Sequence, residues 1–189
     1  MKKEEIEEVF TVSILTENKT GLLNAITIIF NRRKLNIEAM NVSETEVPGV
    51  SRFTIVTQST FARAEQVVKQ IDKLIEVLGA FLYREDEIYY QEIAMFKMET
   101  EAFLNNNIIE RLVRNNGARI LVIEKEHIII EKTGHRKEIR ELRDKLEPYG
   151  LLEYVRSGRI AISKSKRKTH VFLKELEKTN YFERENNYQ

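Results

Sequence analysis

The 189 residues contain no cysteine and no tryptophan, and only two prolines. Without cysteine there is no disulfide framework, no thiolate nucleophile and no thiolate-ligated metal. Histidine is scarce too. His127, His135 and His170 are the full set, and none has a second histidine at a metal-ligand spacing. No metal is expected. No apolar run approaches the roughly 20 residues of a membrane span, and the N-terminus MKKEEIEE lacks the apolar run of a signal peptide. An excess of one charge is missing as well. A formal net charge of +1 leaves no generalised electrostatic attraction to nucleic acid or membranes. The basic cluster Lys164 to Lys168 is too short on a neutral chain to change that. No nucleophile elbow, P-loop or dinucleotide fingerprint occurs. The expectation is a cytoplasmic protein with no catalytic residues of its own and neither nucleic acid nor membrane as partner.

Hydrophobic residues make up 42% and charged residues 32%, an ordinary soluble composition with length enough for one or two domains. The stretch Phe10 to Asn36 organises the rest. Phe10, Val12 and Ile14 alternate with Thr11 and Ser13, the period of a half-buried strand. Glu17 to Thr20 break that pattern and Gly21 follows. Leu22, Ile26, Ile29 and Phe30 then share one helical face, with Thr20 as the expected N-cap and Arg32, Arg33 and Lys34 in the last turn. Helix N-termini carry unpaired N–H groups, and a glycine lets a small anion approach them. Gly21 therefore reads either as a simple turn residue or as part of an anion site. Asn36 has two readings of the same kind: a turn residue that tolerates unusual backbone angles, or a ligand-contacting amide.

Further on, Asn36 to Val42 and Ser51 to Gln58 read as antiparallel strands joined through Pro48-Gly49. An apolar stripe from Ala64 through Leu74, Ile75 and Leu78 predicts a second helix, and Ala80 to Tyr83 a fourth strand. This is the βαββαβ order of a ferredoxin-like unit. The charged break Arg84 to Glu87 separates it from a second such unit. There the strands are Glu92–Met98, Ala118–Glu124, His127–Lys132 and Leu151–Arg156, with Ile160–Ile162 after the Ser157-Gly158 turn. One helix spans Phe103 to Asn115 with Phe103, Ile108, Ile109, Leu112 and Val113 inward, and Gly117 near its stop. Another carries Ile139, Leu142 and Leu146. Beyond Ser165, Val171, Phe172, Leu173 and Leu176 suggest one short helix, with disorder as the other reading past Asn180. The fold class is α+β, two tandem ferredoxin-like domains at residues 8–84 and 88–164, followed by a charged tail at 165–189.

The segment TENKTGLLNAITIIFNRRKLNIEAMNVSETEVPGVSRFTI resembles the ligand-binding half of an ACT domain. More narrowly, it is similar to the small regulatory subunit family of acetolactate (acetohydroxyacid) synthase. IAMFKM, NNGARILVIE and VRSGRIAISK extend the resemblance over about residues 8–164, and the tail lies outside it. Asn18, Lys19, Thr20, Gly21, Leu22, Leu23, Asn36 and Ile37 match the family's effector-binding positions, with Lys19 and Thr20 differing in residue type and Leu22 larger than the residue common there. The resemblance implies a non-catalytic subunit that activates a separate catalytic subunit. That subunit would hold the thiamine diphosphate, Mg²⁺ and FAD and condense pyruvate with pyruvate or 2-ketobutyrate. It also implies a homodimer of ACT domains and feedback inhibition by valine bound at their interface, within branched-chain amino acid biosynthesis. The other readings are a free-standing amino-acid sensor acting on another enzyme or regulator, and a small enzyme or single-stranded RNA binder on the same scaffold. An acylphosphatase would need an arginine in a phosphate-cradling loop where this chain has ENKTG, and an RNA binder would expose Phe53 and Phe96, which sit in apolar patterns.

Overall fold

A computed structural model of the chain describes residues 6–104, 107–166, 171 and 174. They fall into two compact units, one formed by the described residues up to Tyr89 and from Ile162 onward, the other by Tyr90–Ala161. Among the described residues no helix is long and apolar enough to cross a membrane.

The N-terminal unit runs β1 (Glu8–Glu17), α1 (Leu22–Arg32), β2 (Ala39–Glu44), β3 (Val50–Ser59), α2 (Phe61–Ile71) and β4 (Val77–Tyr83). Its antiparallel sheet has the order β2-β3-β1-β4, the ferredoxin-like arrangement. Register follows from alternation, because side chains on a strand repeat every two residues. Val12 faces Ile55 and Ile14 faces Phe53, and these four pack with Leu22, Ile26 and Phe30 of α1 and Val67 and Ile71 of α2. Full burial of each such side chain contributes about 1.5–3 kcal/mol.

Three expectations are corrected in this unit. The second strand begins at Ala39, not Asn36, because Asn36 and Ile37 belong to a side-chain-held connector. The second helix ends at Ile71, because the Asp72 carboxylate accepts the Ala80 N–H at 3.0 Å and ties the chain back on itself. Of the apolar residues read into that helix, Ile75 is exposed, Leu74 is half-buried beside the core and Leu78 lies in β4. Thr20 is not the N-cap of α1. Gly21 takes that position in the left-handed region at φ 90°, with no side-chain cap.

The second unit repeats the order with β5 (Ile88–Glu99), α3 (Thr100–Leu104), α4 (Asn107–Asn115), β6 (Arg119–Ile123), β7 (His127–Gly134), α5 (Arg136–Leu146), β8 (Leu151–Arg156) and β9 (Ile160–Ser163). Strand order is β6-β7-β5-β8, with β9 also pairing β5. Phe96, Met98, Ile128, Ile130, Ile139 and Leu142 form its core. The helix expected over Phe103–Asn115 is described as α3, which starts earlier at Thr100, and α4, with residues 105–106 between them outside the described residues. Ile109 and Val113 define the buried face of α4, which turns Ile108 outward. A 3-10 turn at Glu85–Glu87 occupies the charged break, and β5 starts directly after it. Of the expected tail helix, Val171 is described and exposed, while Phe172, Leu173 and Leu176, and the segment past Asn180, lie outside the described residues.

Candidate functional site

The β1–α1 loop is built by backbone. Glu17 N–H donates to Glu76 O at 2.9 Å and Asn18 N–H to Gly49 O at 2.8 Å, which anchor its first half to neighbouring connections. The Asn18 side chain reaches Glu44 Oε1 at 3.2 Å, and Lys19 pairs with Glu17 at 2.5 Å. That bond holds the Lys19 ammonium above the usual lysine range. Gly21 then adopts φ 90°, where an L side chain is strained, and a Cβ placed there would meet nothing within 4 Å. The first intrahelical bond is Ala25 N–H to Gly21 O at 3.0 Å, so helix geometry leaves the N–H groups of Leu22, Leu23 and Asn24 without intrahelical acceptors. Asn18, Lys19, Thr20, Gly21 and Leu23 are exposed, whereas the Leu22 side chain is buried in the core. Leu22 thus offers a ligand its N–H rather than its side chain. At the foot of the loop, the buried Thr16 hydroxyl has no hydrogen-bond partner among the described residues.

The other end of α1 closes in a Schellman arrangement. Lys34 N–H donates to Asn31 O and Leu35 N–H to Phe30 O, each at 3.0 Å, with Lys34 in the left-handed region at φ 53°. Leu35 and Phe30 pack together in the core. Arg63 of α2 donates to the carbonyls of Arg33 at 3.2 Å and Lys34 at 3.1 Å. The Thr57 hydroxyl donates to Asn36 O at 2.7 Å, and Glu38 N–H to Val56 O at 2.8 Å. Asn36 therefore leaves a firmly held backbone with its side chain exposed, and Ile37 is half-buried against the core. Thr57 and Arg63 escape a reading of the sequence, since nothing in their spacing announces bonds to carbonyls more than twenty residues away.

Within one chain the two groups of residues do not meet. The Gly21 loop lies where Glu17 faces Val50, and the Asn36 connector lies near Val56 and Thr57, which face Thr11 and Phe10. Six residues of strand separate these ends, about 20 Å at 3.3 Å each. β2 is one of the sheet's two edge strands, β4 being the other, and it runs parallel to β1, because both are antiparallel to β3. Its Val42, on the core side with Met40, is exposed. A copy placed against this edge about a two-fold axis would run its β2 the opposite way. The Asn36 end of the copy would then lie alongside the Glu44 end of the first chain, which is the Gly21 end. Among the described residues no group of three or more acidic or histidine side chains could hold a metal ion.

Two family models match the chain: an AHAS small subunit-like ACT domain over residues 12–79, and the small subunit of acetolactate synthase over residues 91–165. The acetolactate synthase small subunit of Mycolicibacterium smegmatis is 35% identical over 157 residues, covering 83% of this chain and 92% of that one. That of Bacillus subtilis is 31% identical over 154 residues, covering 81% and 89%. The crystal structure of the Thermotoga maritima small subunit superimposes with a TM-score of 0.76 at 28% identity, over 85% of this chain and 99% of that chain.

Proposed function

This chain belongs to the acetolactate synthase small-subunit family, and from that premise we propose that it is a regulatory subunit whose effector is a branched-chain amino acid, valine first. It acts on a separate catalytic subunit, raising its activity and making it sensitive to the effector. The thiamine diphosphate, Mg²⁺ and FAD belong in this reading to the catalytic subunit. The chain works as a homodimer through its β2 edges, which also removes an exposed strand edge. Each effector sits between the Gly21 loop of one copy and Asn36 of the other.

One observation supports this reading: the matched residues stand at opposite ends of one sheet, an arrangement that antiparallel pairing of β2 with a second copy would bring together. The chemistry agrees. The N–H groups of Leu22 and Leu23, which have no intrahelical acceptor, suit a carboxylate, helped by the positive end of the α1 dipole. The exposed Asn36 amide can donate and accept, which suits an amino acid carrying both charges. The exposed Leu23 and half-buried Ile37 offer apolar surface to a branched side chain.

The test compares Gly21→Asp with Gly21→Asn. Both variants carry the strain of φ 90°, and both residue types tolerate the left-handed region best among L residues, so they differ chiefly in charge. An aspartate about 4 Å from a bound carboxylate costs on the order of 4 kcal/mol at an effective dielectric near 20. That exceeds a typical allosteric coupling of about 1–3 kcal/mol. The expected result, read as acetolactate production by the reconstituted holoenzyme, is that Gly21→Asp activates without valine inhibition while Gly21→Asn keeps part of the inhibition. A Gly21→Asp subunit with native circular dichroism and normal inhibition would overturn the reading.

A further inference from the structure

We propose that Thr57 and Arg63, neither of which lies at the effector positions, are positioning residues that set effector affinity by holding the Asn36 connector. This rests on the effector reading above and names part of what makes that site selective.

Three carbonyls in four residues, those of Arg33, Lys34 and Asn36, accept hydrogen bonds from side chains of β3 and α2. The connector needs them. The last pairing of β2 with β3 is Ala39 opposite Val56, and Glu38 N–H still reaches Val56 O. Beyond that point the Thr57 hydroxyl takes over, at 2.7 Å from Asn36 O, from a side chain fully removed from solvent. A buried hydroxyl has few partners to choose from, so this bond fixes the Asn36 peptide rather than following it. At the other side, Lys34 holds a positive φ that a residue with a side chain adopts reluctantly. Arg63 bridges the carbonyls of Arg33 and Lys34 at that turn, and the Arg33 side chain is itself held by Gln66 and Gln70 of α2. The exposed amide of Asn36 is therefore aimed by groups behind it. A polar contact aimed at a ligand works only within about 0.5 Å of its productive position, and in this reading the ligand's other half is bound by a different copy of the chain. Slack in the connector is then read directly as lost affinity.

The experiment is isothermal titration of valine into the full chain as wild type, Thr57→Val, Thr57→Ser and Arg63→Met, with Ile71→Val as a variant that loosens α2 packing without touching the connector. Thr57→Val keeps the shape and removes the donor. It should weaken valine binding about tenfold, the scale of one lost hydrogen bond, while light scattering shows an unchanged oligomer. Thr57→Ser restores the donor and should stay within about twofold of wild type, and Arg63→Met should weaken binding about threefold. Wild type that binds valine beside a Thr57→Val variant that binds equally well would overturn the positioning role alone. So would an Ile71→Val variant of equal thermal stability loss and equal affinity loss, since general loosening would then account for the effect. Wild type that binds no valine would overturn the effector reading, and this inference with it.

Discussion

Among the described residues the two units bury different polar groups on the same topology. In the N-terminal unit they are hydroxyls: Thr11, Thr16, Ser51, Thr54, Thr57 and Ser59 lie among them. In the C-terminal unit Glu92, Glu131 and Arg159 are buried, with Thr100 as a hydroxyl. Both units carry exposed ion pairs, Arg114–Glu110 and Arg143–Asp144 among those of the second, but among the described residues the pairs with a buried carboxylate lie in the second. Lys19–Glu17, Lys69–Glu65 and Arg84–Glu8 in the first unit join side chains 42% to 66% exposed, and such pairs contribute little. In the second, Arg156 meets a Glu92 side chain only 2% exposed, and Arg119 meets Glu131 at 2.5 Å. Arg159 lies 3.6 Å from the centre of the Tyr90 ring. The Arg156–Glu92 and Arg119–Glu131 pairs each anchor on a buried carboxylate, with the Arg119 side chain itself exposed, and tie β5 to β8 and β6 to β7. A buried hydroxyl engages one acceptor and fixes one local contact, as Thr57 does for the Asn36 carbonyl, without tying two strands by charge. The unit read as the sensor is built from the gentler material, and the other is latched.

Removing a latch should break this comparison hardest. Arg156→Ala leaves Glu92 buried without its partner, which costs about 3–5 kcal/mol. Hydrogen exchange by mass spectrometry should show faster exchange in peptides from β5 and β8 and unchanged exchange in β1 and β3. Equal acceleration in both units would mean that the latch serves the whole chain. A smaller effect of opposite sign belongs to the N-terminal unit. Lys34→Gly relieves a left-handed residue at φ 53° and should stabilise that unit by about 1 kcal/mol, seen as a later transition in urea for β1 and α1 peptides. A Lys34→Gly variant with an unmoved transition would show that Arg63 already offsets the strain.

The smallest expected effect is a pH slope confined to the C-terminal unit. The Thr133 hydroxyl foremost holds the Glu131 carboxyl below the ordinary carboxylate range, against the opposing effect of burial, with Arg119 adding to the lowering. The unfolded chain therefore takes up this proton at higher pH than the folded one. Its contribution is fully present above the ordinary value near 4.3 and is lost as pH falls through the folded value. Melting followed from about pH 6 to pH 3 should show the C-terminal unit losing stability, with Glu131→Gln flattening that loss. A slope unchanged by the substitution would assign it to other carboxylates.

Much of this architecture was legible from alternation and helical spacing. Phe10, Val12 and Ile14 on one side of a strand, and Ile139, Leu142 and Leu146 on one helical face, are buried as their periods require. Gly117, at φ 59°, ends α4 as its position suggested. Spacing misled where an acceptor elsewhere in the fold intervened. The stripe through Leu74, Ile75 and Leu78 is periodic enough for a helix, yet the Asp72–Ala80 bond turns the chain at that point. The Schellman end of α1 stayed hidden because lysine occupies the place where glycine is the usual signal. At the candidate site the residue types Asn18 to Leu23 and Asn36 to Ile37 could be picked out by resemblance, but Thr57 and Arg63 could not.

The sequence by itself determined which residues are apolar, at what period they recur, and hence that two βαββαβ units would form with these cores, because burial of apolar surface is read locally from spacing. It also determined that a glycine would stand at the head of α1. Tertiary structure alone decided that Gly21, not Thr20, begins that helix with a positive φ, and that Asn36 leaves the sheet before β2 starts. It alone separated the Gly21 loop and Asn36 by the length of a strand, through the crossing of α1 over the sheet. The physical reason is the same in each case. Hydrogen bonds pair donors and acceptors far apart in the chain, such as Thr57 with Asn36 and Arg63 with Arg33, and only the folded chain brings them within reach.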